Sequence, residues 1–475
     1  MNKKCQIFTP NNIVDLMLDE IGYCKNLSCK KILENSCGNG NILCKVVERY
    51  INDGISQDRA KNEIKKGLEI DITGFEIDPV KRSECICRLN NIAKKYEITD
   101  VCWNIKCCDY LKDESRELFD FIVGNPPYIC YADLSAENRQ YLHNTFKSCS
   151  KGKFDYCYAF IEKSINSLNM NGKFSYVIPS SIFKNAFAQN LRNLLLPSLI
   201  MIRDFPKVRI FEDALVKSSI IFSYNVESKF NNTINYRDEL EKSDLIIEKS
   251  QFQGKKWYFK NIDIHGKRFG DYFHVSYSVA TLLNSVFLIG ESKLSENNLY
   301  SIGNYQVESE LVKNAASPKL MRRKIRKKII FPYKYGLGGD LIRYNEEEFK
   351  SLYPQAFKYL KLHKKELELR NIEPNSKWFE YGRSQALSSL NCEKLLLSTV
   401  VSSEVHVYKL NTNYIPFAGM YIVLKSSNKE YSLDIAVKIL RSKQFFDYIL
   451  KVGSHVNGNS VRITAKDIEN YRFEL

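Results

Sequence analysis

Short apolar runs alternate with amphipathic stretches over the first 225 residues of the chain. The amphipathic stretches, such as 79–95 and 156–168, have the spacing of helices that bury one face. The apolar runs are bounded by Gly, Asp, Asn or Lys and predict buried strands. These runs are 31–34, 72–76, 104–107, 120–124, 173–178 and 218–223. The alternation predicts an α/β fold with a doubly wound, mostly parallel sheet.

The pattern changes in the second half of the chain. Residues 225–250 are polar and charged, which is typical of a linker. Farther on, seven of the ten residues 319–328 are basic, and aromatic residues then interleave with charges, as in Trp378-Phe-Glu-Tyr-Gly-Arg383. We therefore expect one domain over residues 1–235 and a separate α+β domain over residues 245–475.

Composition narrows the class of protein. The chain has 475 residues, of which 44% are hydrophobic and 12% aromatic, which argues against a mainly disordered protein. The amino terminus has no long apolar run, and no stretch approaches 18 uninterrupted apolar residues. We expect neither a signal peptide nor a membrane span, and a cytoplasmic location.

Positive charge is concentrated in the second half. Lys and Arg number 70 against 55 Asp and Glu. Residues 1–240 contribute 33 basic and 30 acidic side chains, and residues 241–475 contribute 37 and 25. A basic folded half suggests a polyanionic partner, most simply nucleic acid. A basic surface that only confers solubility is the alternative.

The cysteines suggest neither disulfides nor a metal. Of 14 cysteines, 13 precede residue 158, and their irregular scatter lacks paired C-x-x-C spacing or an accompanying histidine cluster. We expect reduced thiols, mostly small core residues, and no structural zinc.

Polar and glycine residues follow the predicted strands at the edge where open α/β sheets bind ligands. Gly38 and Gly40 allow a tight turn close to a ligand, although an ordinary strand-to-helix turn would need them too. Glu76 could accept hydrogen bonds from ribose hydroxyls; alternatively, Asp78 caps a helix and Glu76 is merely solvated. Asp109 could accept a hydrogen bond from an adenine amino group, or cap a helix.

The fourth strand end is more specific. Asn125-Pro126-Pro127-Tyr128 follows the apolar run 120–124. Two prolines fix an extended, rigid turn, because each restricts itself and the residue before it. The turn projects an amide and an aromatic ring at the ligand edge, a combination that a purely structural loop does not need.

In this order, these motifs resemble the S-adenosylmethionine-dependent DNA adenine-N6 methyltransferases of bacterial restriction–modification systems. The resemblance is greatest to the gamma class, which includes the TaqI methyltransferase. It covers about residues 5–225 motif by motif and residues 300–475 more loosely. It implies a seven-stranded methyltransferase sheet followed by a DNA target-recognition domain.

The resemblance also implies roles for individual residues. The stretch from Gln6 to Pro10 is similar to a motif that covers the methionine part of the cofactor. The stretch from Glu34 to Asn41 is similar to a glycine-containing cofactor motif, with Asn35 where proline is usual. The implied residues that bind S-adenosyl-L-methionine are Phe8, Thr9, Pro10, Glu34, Cys37, Gly38, Gly40, Glu76, Ile77, Asp109, Tyr110 and Asn125.

The same resemblance makes residues 125–128 the catalytic motif, in which Asn125 and Pro126 accept the hydrogens of the adenine amino group. Tyr128 and Phe211 would stack on an adenine flipped out of duplex DNA. Arg322, Arg323 and Lys324 are electrostatic candidates for DNA binding, with a solvated helix face as the alternative. The implied chemistry requires no metal.

Other acceptors remain open. An RNA adenine or a protein glutamine amide could use the same motif, and a non-enzymatic specificity subunit could share the fold. The first motif begins near residue 6, and no acidic-acidic-x-Lys site is evident downstream. We therefore expect modification without cleavage, with any cognate restriction endonuclease encoded separately.

Overall fold

The structure is a computed structural model of the chain. It describes residues 9–205, 217–225, 232–254, 256–259, 265–290, 294–384, 386–428, 430–456 and 460–474. The chain divides into two compact units, Met1–Phe259 and Lys260–Leu475. We call these the N-terminal unit and the C-terminal unit.

The N-terminal unit contains a mixed sheet flanked by helices. Its helices are α1 (Asn11–Glu20), α2 (Asn41–Ser56), α3 (Lys61–Asp71), α4 (Pro79–Lys95), α5 (Ala136–Thr145), α6 (Cys157–Asn166) and α7 (Gln189–Leu195). Its strands are β1 (Ile32–Glu34), β2 (Ile72–Phe75), β3 (Asn104–Lys106), β4 (Phe119–Gly124), β5 (Leu168–Pro179), β6 (Leu199–Phe205), β7 (Ser218–Tyr224), β8 (Thr233–Asp238) and β9 (Ser243–Glu248).

Within the described residues the strand order is β3-β2-β1-β4-β5-β7-β6-β8-β9. Strands β1 to β5 are parallel, and β7 is antiparallel to both of its neighbours. The chain moves outward from β1 to β3 and then returns to place β4 on the other side of β1. This reversal opens a crevice at the carboxyl ends of β1 and β4.

Burial explains why these short strands form the centre of the unit. Adjacent residues of one strand enter different apolar clusters, since side chains alternate across a sheet. On β1, Ile32 packs in one cluster and Leu33 in the other; on β4, Val123 and Ile122 do the same. The sheet is therefore covered on both faces, as the continuous apolar runs predict.

The six strands predicted from apolar runs are confirmed, but the predicted linker is wrong. Residues 233–248 form β8 and β9, so the N-terminal unit continues to Phe259 rather than ending near 235, and the next unit begins at 260 rather than 245. The sheet has nine strands instead of seven. One face of this edge hairpin is polar, with Arg237 paired to Asp244, while Ile234 is buried. That alternation makes the segment look hydrophilic in sequence.

The C-terminal unit is an α+β assembly of small sheets. Its strands are β10 (Lys267–Arg268), β11 (Phe273–Tyr277), β12 (Leu288–Ile289), β13 (Leu299–Ile302), β14 (Tyr305–Glu308), β15 (Val312–Ala316), β16 (Lys328–Ile330), β17 (Tyr333–Tyr335), β18 (Leu341–Arg343), β19 (Lys394–Leu397), β20 (Val400–Val401), β21 (Val407–Leu410), β22 (Tyr414–Pro416), β23 (Met420–Leu424), β24 (Ser454–His455), β25 (Val461–Arg462) and β26 (Arg472–Phe473). Its helices are α8 (Phe269–Tyr272), α9 (Asn284–Phe287), α10 (Pro318–Arg322), α11 (Glu346–Leu352), α12 (Pro354–Leu362), α13 (Lys364–Glu368), α14 (Leu433–Arg441), α15 (Lys443–Val452) and α16 (Ala465–Glu469).

Two four-stranded sheets, β11-β23-β19-β21 and β12-β16-β15-β22, organise this unit. The aromatic residues that interleave with charges in sequence pack inside it: Phe379 and Tyr381 are fully buried. Glu380 between them is also buried and accepts hydrogen bonds from Nε and Nη2 of Arg343, at 3.0 and 2.6 Å. These aromatics form a core rather than a ligand surface.

The cysteine expectation is partly wrong. Of the thirteen described cysteines, seven are exposed and only four are buried. The exposed ones lie on loops and on the outer faces of helices, where burial does not select residue type.

No described helix is both long enough and apolar enough to cross a bilayer.

Candidate functional site

The carboxyl ends of β1 to β4 surround one pocket of about 1060 Å³, counted to its open mouth. Most of the residues singled out from sequence line it together: Thr9, Glu34, Cys37, Gly38, Glu76, Ile77, Asp109, Tyr110, Asn125, Pro126, Pro127 and Tyr128. Pro10 and Gly40 are not among the lining residues. Phe8 and Phe211 lie outside the described residues.

The two glycines of the loop after β1 have different reasons to be glycine. Gly40 has φ +82°, and a Cβ there would lie 2.5 Å from Sγ of Cys85 on α4. Gly40 is therefore required by the packing of α4 against the loop. Around Gly38, which has φ +54°, a Cβ would meet nothing within 4 Å. Its backbone faces the open pocket and is accessible to a ligand.

Glu76 is fixed in the pocket wall rather than solvated. Its side chain is 8% exposed. One carboxylate oxygen accepts the Gly38 N–H and the other accepts the Asp78 N–H, each at 2.8 Å. Asp78 does cap α4, as the alternative proposed, but Glu76 is not left to solvent. Each Glu76 oxygen keeps a further lone pair with which it can accept a hydrogen bond from a ligand.

Asp109 both caps a turn and lines the pocket. Its Oδ1 accepts the Leu111 N–H at 3.0 Å, which caps the turn Tyr110–Lys112. The capping alternative is thus correct for one of its two oxygens. Tyr110 is buried, and that burial raises the pKa of its hydroxyl. Ile77 also lines the pocket, and its apolar side chain is 46% exposed.

Thr9 connects the start of the described chain to the strand ends. Nδ2 of Asn41 donates to the Thr9 carbonyl at 2.5 Å, and Nδ2 of Asn125 donates to Thr9 Oγ1 at 3.3 Å. Arg88 supports this loop from α4, because its guanidinium donates to the Asn39 carbonyl and to Asn41 Oδ1, both at 3.1 Å. Sequence reasoning missed Arg88, since a basic residue on a helix gives no signal of its target.

The turn after β4 holds Asn125 and Tyr128 against each other. The Tyr128 hydroxyl lies 2.6 Å from Asn125 Oδ1 and 2.9 Å from the Val177 carbonyl on β5. Ser36 donates to the Asn125 carbonyl at 3.2 Å. Burial raises the pKa of Tyr128 well above its usual value, so the hydroxyl remains protonated and is a donor.

A buried polar chain lies beside this turn. Nδ2 of Asn35 donates to Ser164 Oγ at 2.9 Å, and Ser164 is 2.9 Å from the Tyr176 hydroxyl. Asn35 stands where the family resemblance expects proline. Unlike proline, it has a side-chain amide, which connects the end of β1 to α6 and, through Ser164, to β5. Glu34 is buried, accepts the Leu43 N–H at 3.1 Å, and has its pKa raised by burial. The side chains of Glu34 and Asn35 line the pocket.

In the C-terminal unit, the basic run is not one helix face. Helix α10 ends at Arg322, Lys324 has φ +55°, and Lys328 begins β16. Arg322 and Arg323 are exposed and line a groove. The groove is also lined by hydroxyl and imidazole side chains and by one carboxylate: Ser398, Ser402, Ser403, His406, Tyr408 and Glu404. Lys324 is exposed but outside the groove.

The strand order β3-β2-β1-β4-β5-β7-β6, with antiparallel β7 and a pocket at the strand ends, is that of the class I, S-adenosylmethionine-dependent methyltransferase fold. Residues 23–211 match the model of a family described as the Eco57I restriction-modification methylase. The chain superposes on the Type IIL restriction-modification enzyme MmeI, solved in complex with DNA, with a TM-score of 0.56 at 14% identity, covering 97% of this chain and 64% of MmeI. That likeness extends through both units and supports the fold.

Curated relatives are Type II restriction–modification proteins. The chain is 23% identical to the restriction enzyme and methyltransferase RM.Eco57I of Escherichia coli, over 92% of this chain and 53% of that protein. It is 29% identical to the methyltransferase M.AccI of Acinetobacter calcoaceticus, over 62% of this chain and 55% of that protein. The chain thus spans about half the length of these two relatives.

Proposed function

We propose that the chain is a site-specific DNA methyltransferase of the gamma, TaqI-like class that transfers a methyl group from S-adenosyl-L-methionine to N6 of adenine. Its role would be that of the modification enzyme in a restriction–modification system. One observation carries the proposal: the Asn125-Pro-Pro-Tyr128 turn opens into the same pocket as Glu76. Similarity to Type II methyltransferases supports DNA as the substrate.

The pocket residues fit the cofactor. The Glu76 carboxylate, already oriented by two N–H donors, can accept from ribose hydroxyls. Asp109 can accept from the adenine amino group, and Ile77 can pack on the adenine ring. The open backbone at Gly38 gives space for close approach. When bound, S-adenosyl-L-methionine supplies an electrophilic methyl group at its sulfonium.

Asn125 and Pro126 would activate the acceptor nitrogen. The N6 lone pair of adenine is delocalised into the ring, so the amine is a weak nucleophile. Asn125 Oδ1 and the Pro126 carbonyl can accept its two N–H groups, which favours a pyramidal nitrogen with an available lone pair. Asn125 Oδ1 can do this alongside Tyr128, because a carbonyl oxygen has two lone pairs. Acceptors fixed in advance stabilise the charge that develops on nitrogen.

The target adenine must leave the duplex to reach this turn, because its N6 is inaccessible to in-line attack in a base stack. The Tyr128 ring would then hold the extruded base by stacking, a contact worth about 1–3 kcal/mol per base. The family resemblance implies a second stacking ring at Phe211, outside the described residues.

The C-terminal unit would bind the DNA backbone and read its sequence. Guanidinium and hydroxyl groups are the side chains that most often contact phosphates, and the groove of Arg322 and Arg323 combines both. We propose residues up to Phe259 as the catalytic domain and residues from Lys260 as the target-recognition domain, with any cognate endonuclease on a separate chain.

The experiment that tests the proposal is methyl transfer by the purified chain. The protein is incubated with methyl-labelled S-adenosyl-L-methionine and bacterial genomic DNA, and the digested nucleosides are identified by mass spectrometry. We expect labelled N6-methyladenine, and none with Asn125→Ala. Label on cytosine, on RNA or on a protein glutamine, with none on DNA adenine, would contradict the assignment. Sequencing that detects modified adenines then gives the recognition site.

A further inference from the structure

Leu337 stands alone at the tip of the β17–β18 hairpin. The register pairs Tyr333 with Arg343 and Tyr335 with Leu341, and the loop closes where the Gly336 N–H donates to the Asp340 carbonyl at 2.9 Å. The exposure of Leu337 is 112% of that of a reference leucine, the highest among the described large apolar residues. Its whole side chain is therefore available to a partner.

The stalk below this tip is firmly anchored in the C-terminal unit. Tyr333 is buried, and its hydroxyl accepts the Tyr381 N–H at 2.7 Å. The Tyr335 hydroxyl donates to the Leu387 carbonyl at 2.6 Å. On the other strand, Arg343 makes the bidentate pair with buried Glu380. A hairpin fixed on both strands can push its tip into a partner at little further entropic cost.

The neighbours of Leu337 leave clearance around it. A Cβ on Gly338 would contact only the Asp340 carboxylate, at 3.3 Å, the end of a flexible side chain. Packing within the protein therefore does not require glycine at 338. Small residues beside a protruding apolar one let another molecule approach the backbone closely.

The positive charge of the second half of the chain favours a nucleic-acid partner. The basic run 319–328 ends five residues before the hairpin begins, and the half of the chain that carries both is the strongly basic one. DNA-binding proteins insert apolar side chains, leucine among them, between base steps and so unstack the duplex. We propose that Leu337 is an apolar wedge that enters the base stack of bound duplex DNA and promotes extrusion of the target adenine. The extrusion step rests on the function proposed above.

The first test measures unstacking without methyl transfer. 2-Aminopurine is placed in turn at each adenine of a duplex that carries the recognition site, and its fluorescence is read at saturating protein. Wild type and Leu337→Met should brighten the probe at one or more positions, and Leu337→Ala should lose that signal at the wedge step. Leu369→Ala, which truncates a leucine 86% exposed just after α13, is the matched control and should match wild type.

The second test separates extrusion from binding. Single-turnover methylation is measured on the paired duplex and on one with an abasic site opposite the target adenine. Leu337→Ala should be slower by about tenfold or more on the paired duplex but near wild type on the abasic one, where unpairing has been done in advance. Equal rates for both proteins on paired DNA, or an equal loss on both duplexes, would overturn the wedge. A wild type that unstacks DNA without methylating adenine would refute the proposed function while leaving the wedge supported.

Discussion

The Tyr128 hydroxyl donates to Asn125 Oδ1 across 2.6 Å, and the Val177 carbonyl is a second acceptor at 2.9 Å. On its other side, the Asn125 amide nitrogen faces Thr9 Oγ1 at 3.3 Å. Thr9 Oγ1 and the Tyr128 hydroxyl therefore hold the Asn125 amide from both sides. Under the proposed function, Tyr128 would be a positioning residue for Asn125 as well as a surface for the extruded base.

Asn125→Ala should lower turnover by at least about a hundredfold, because it removes an acceptor used mainly in the transition state. Cofactor binding should persist, since Glu76 and Asp109 are untouched. Single-turnover methylation and calorimetry with S-adenosyl-L-methionine measure the two separately. Turnover close to wild type would contradict the role of this amide.

Two substitutions of Tyr128 should separate its two roles. Tyr128→Phe keeps the ring and removes the hydrogen bond to Asn125, so turnover should fall by roughly tenfold, the equivalent of about one hydrogen bond. Tyr128→Ala also removes stacking and should weaken retention of the flipped base by about 1–3 kcal/mol. Brightening of 2-aminopurine at the target position should survive in the first variant and fade in the second. Equal effects on both readouts would argue against the division.

Sequence predicted the central sheet well because its strands are buried on both faces and need continuous apolar runs. The edge hairpin β8–β9 escaped notice because one of its faces is exposed and charged. Strand β6 was not predicted either: its buried residues recur only at every third position, and the charged Arg203 and Asp204 interrupt its apolar run. Half-buried strands depend on pairing partners that are distant in sequence.

The candidate site was likewise predicted only in part from sequence. Motif order placed Glu76, Asp109 and Asn125 at one sheet edge, and the structure brings them into one pocket. The Asn35–Ser164–Tyr176 chain and the support from Arg88 could not be predicted, because each joins side chains from separate elements. Geometry also distinguishes Gly40, needed for packing on α4, from Gly38, whose surroundings are open.

Glu76→Gln should weaken S-adenosyl-L-methionine binding by about 1–3 kcal/mol through loss of charge-assisted hydrogen bonds. The amide can still accept one backbone N–H, so the loop should remain folded. Asp78→Ala removes only the cap of α4 and is the matched control for local stability. Unchanged affinity of Glu76→Gln in calorimetry, with unchanged thermal stability, would show that Glu76 does not bind the ribose hydroxyls.

Asp155 should make stability depend on pH. Burial raises its pKa from the ordinary 3.8 to about 6, although its Oδ1 accepts the Cys157 N–H at 3.2 Å. Between these pH values the folded protein holds a proton that the unfolded chain releases. The stabilisation that Asp155 gives the folded state is therefore fully present below about pH 4. It is lost as pH rises through 6, with a slope of at most about 1.4 kcal/mol per pH unit. Asp155→Asn should remove this pH-dependent part of the free energy of unfolding, measured by urea titration from pH 4 to 7. The same pH dependence of that free energy in both proteins would contradict the raised pKa.

The groove of the C-terminal unit makes a prediction about salt. If Arg322 and Arg323 neutralise phosphates, DNA affinity should fall with salt by about 0.9 log units per decade for each contact. Replacing both by alanine should therefore reduce the slope by about 1–2 units in fluorescence anisotropy titrations.

Lys324→Ala provides the comparison: this side chain is also exposed but lies outside the groove, so the salt dependence of this variant should change less. S-Adenosyl-L-methionine affinity should stay constant in all three proteins, because every residue lining the pocket proposed for the cofactor belongs to the N-terminal unit. Weaker binding to every sequence would identify phosphate contacts, whereas relaxed sequence preference would identify base contacts. Slopes that match wild type in the double variant would show that the DNA backbone lies elsewhere.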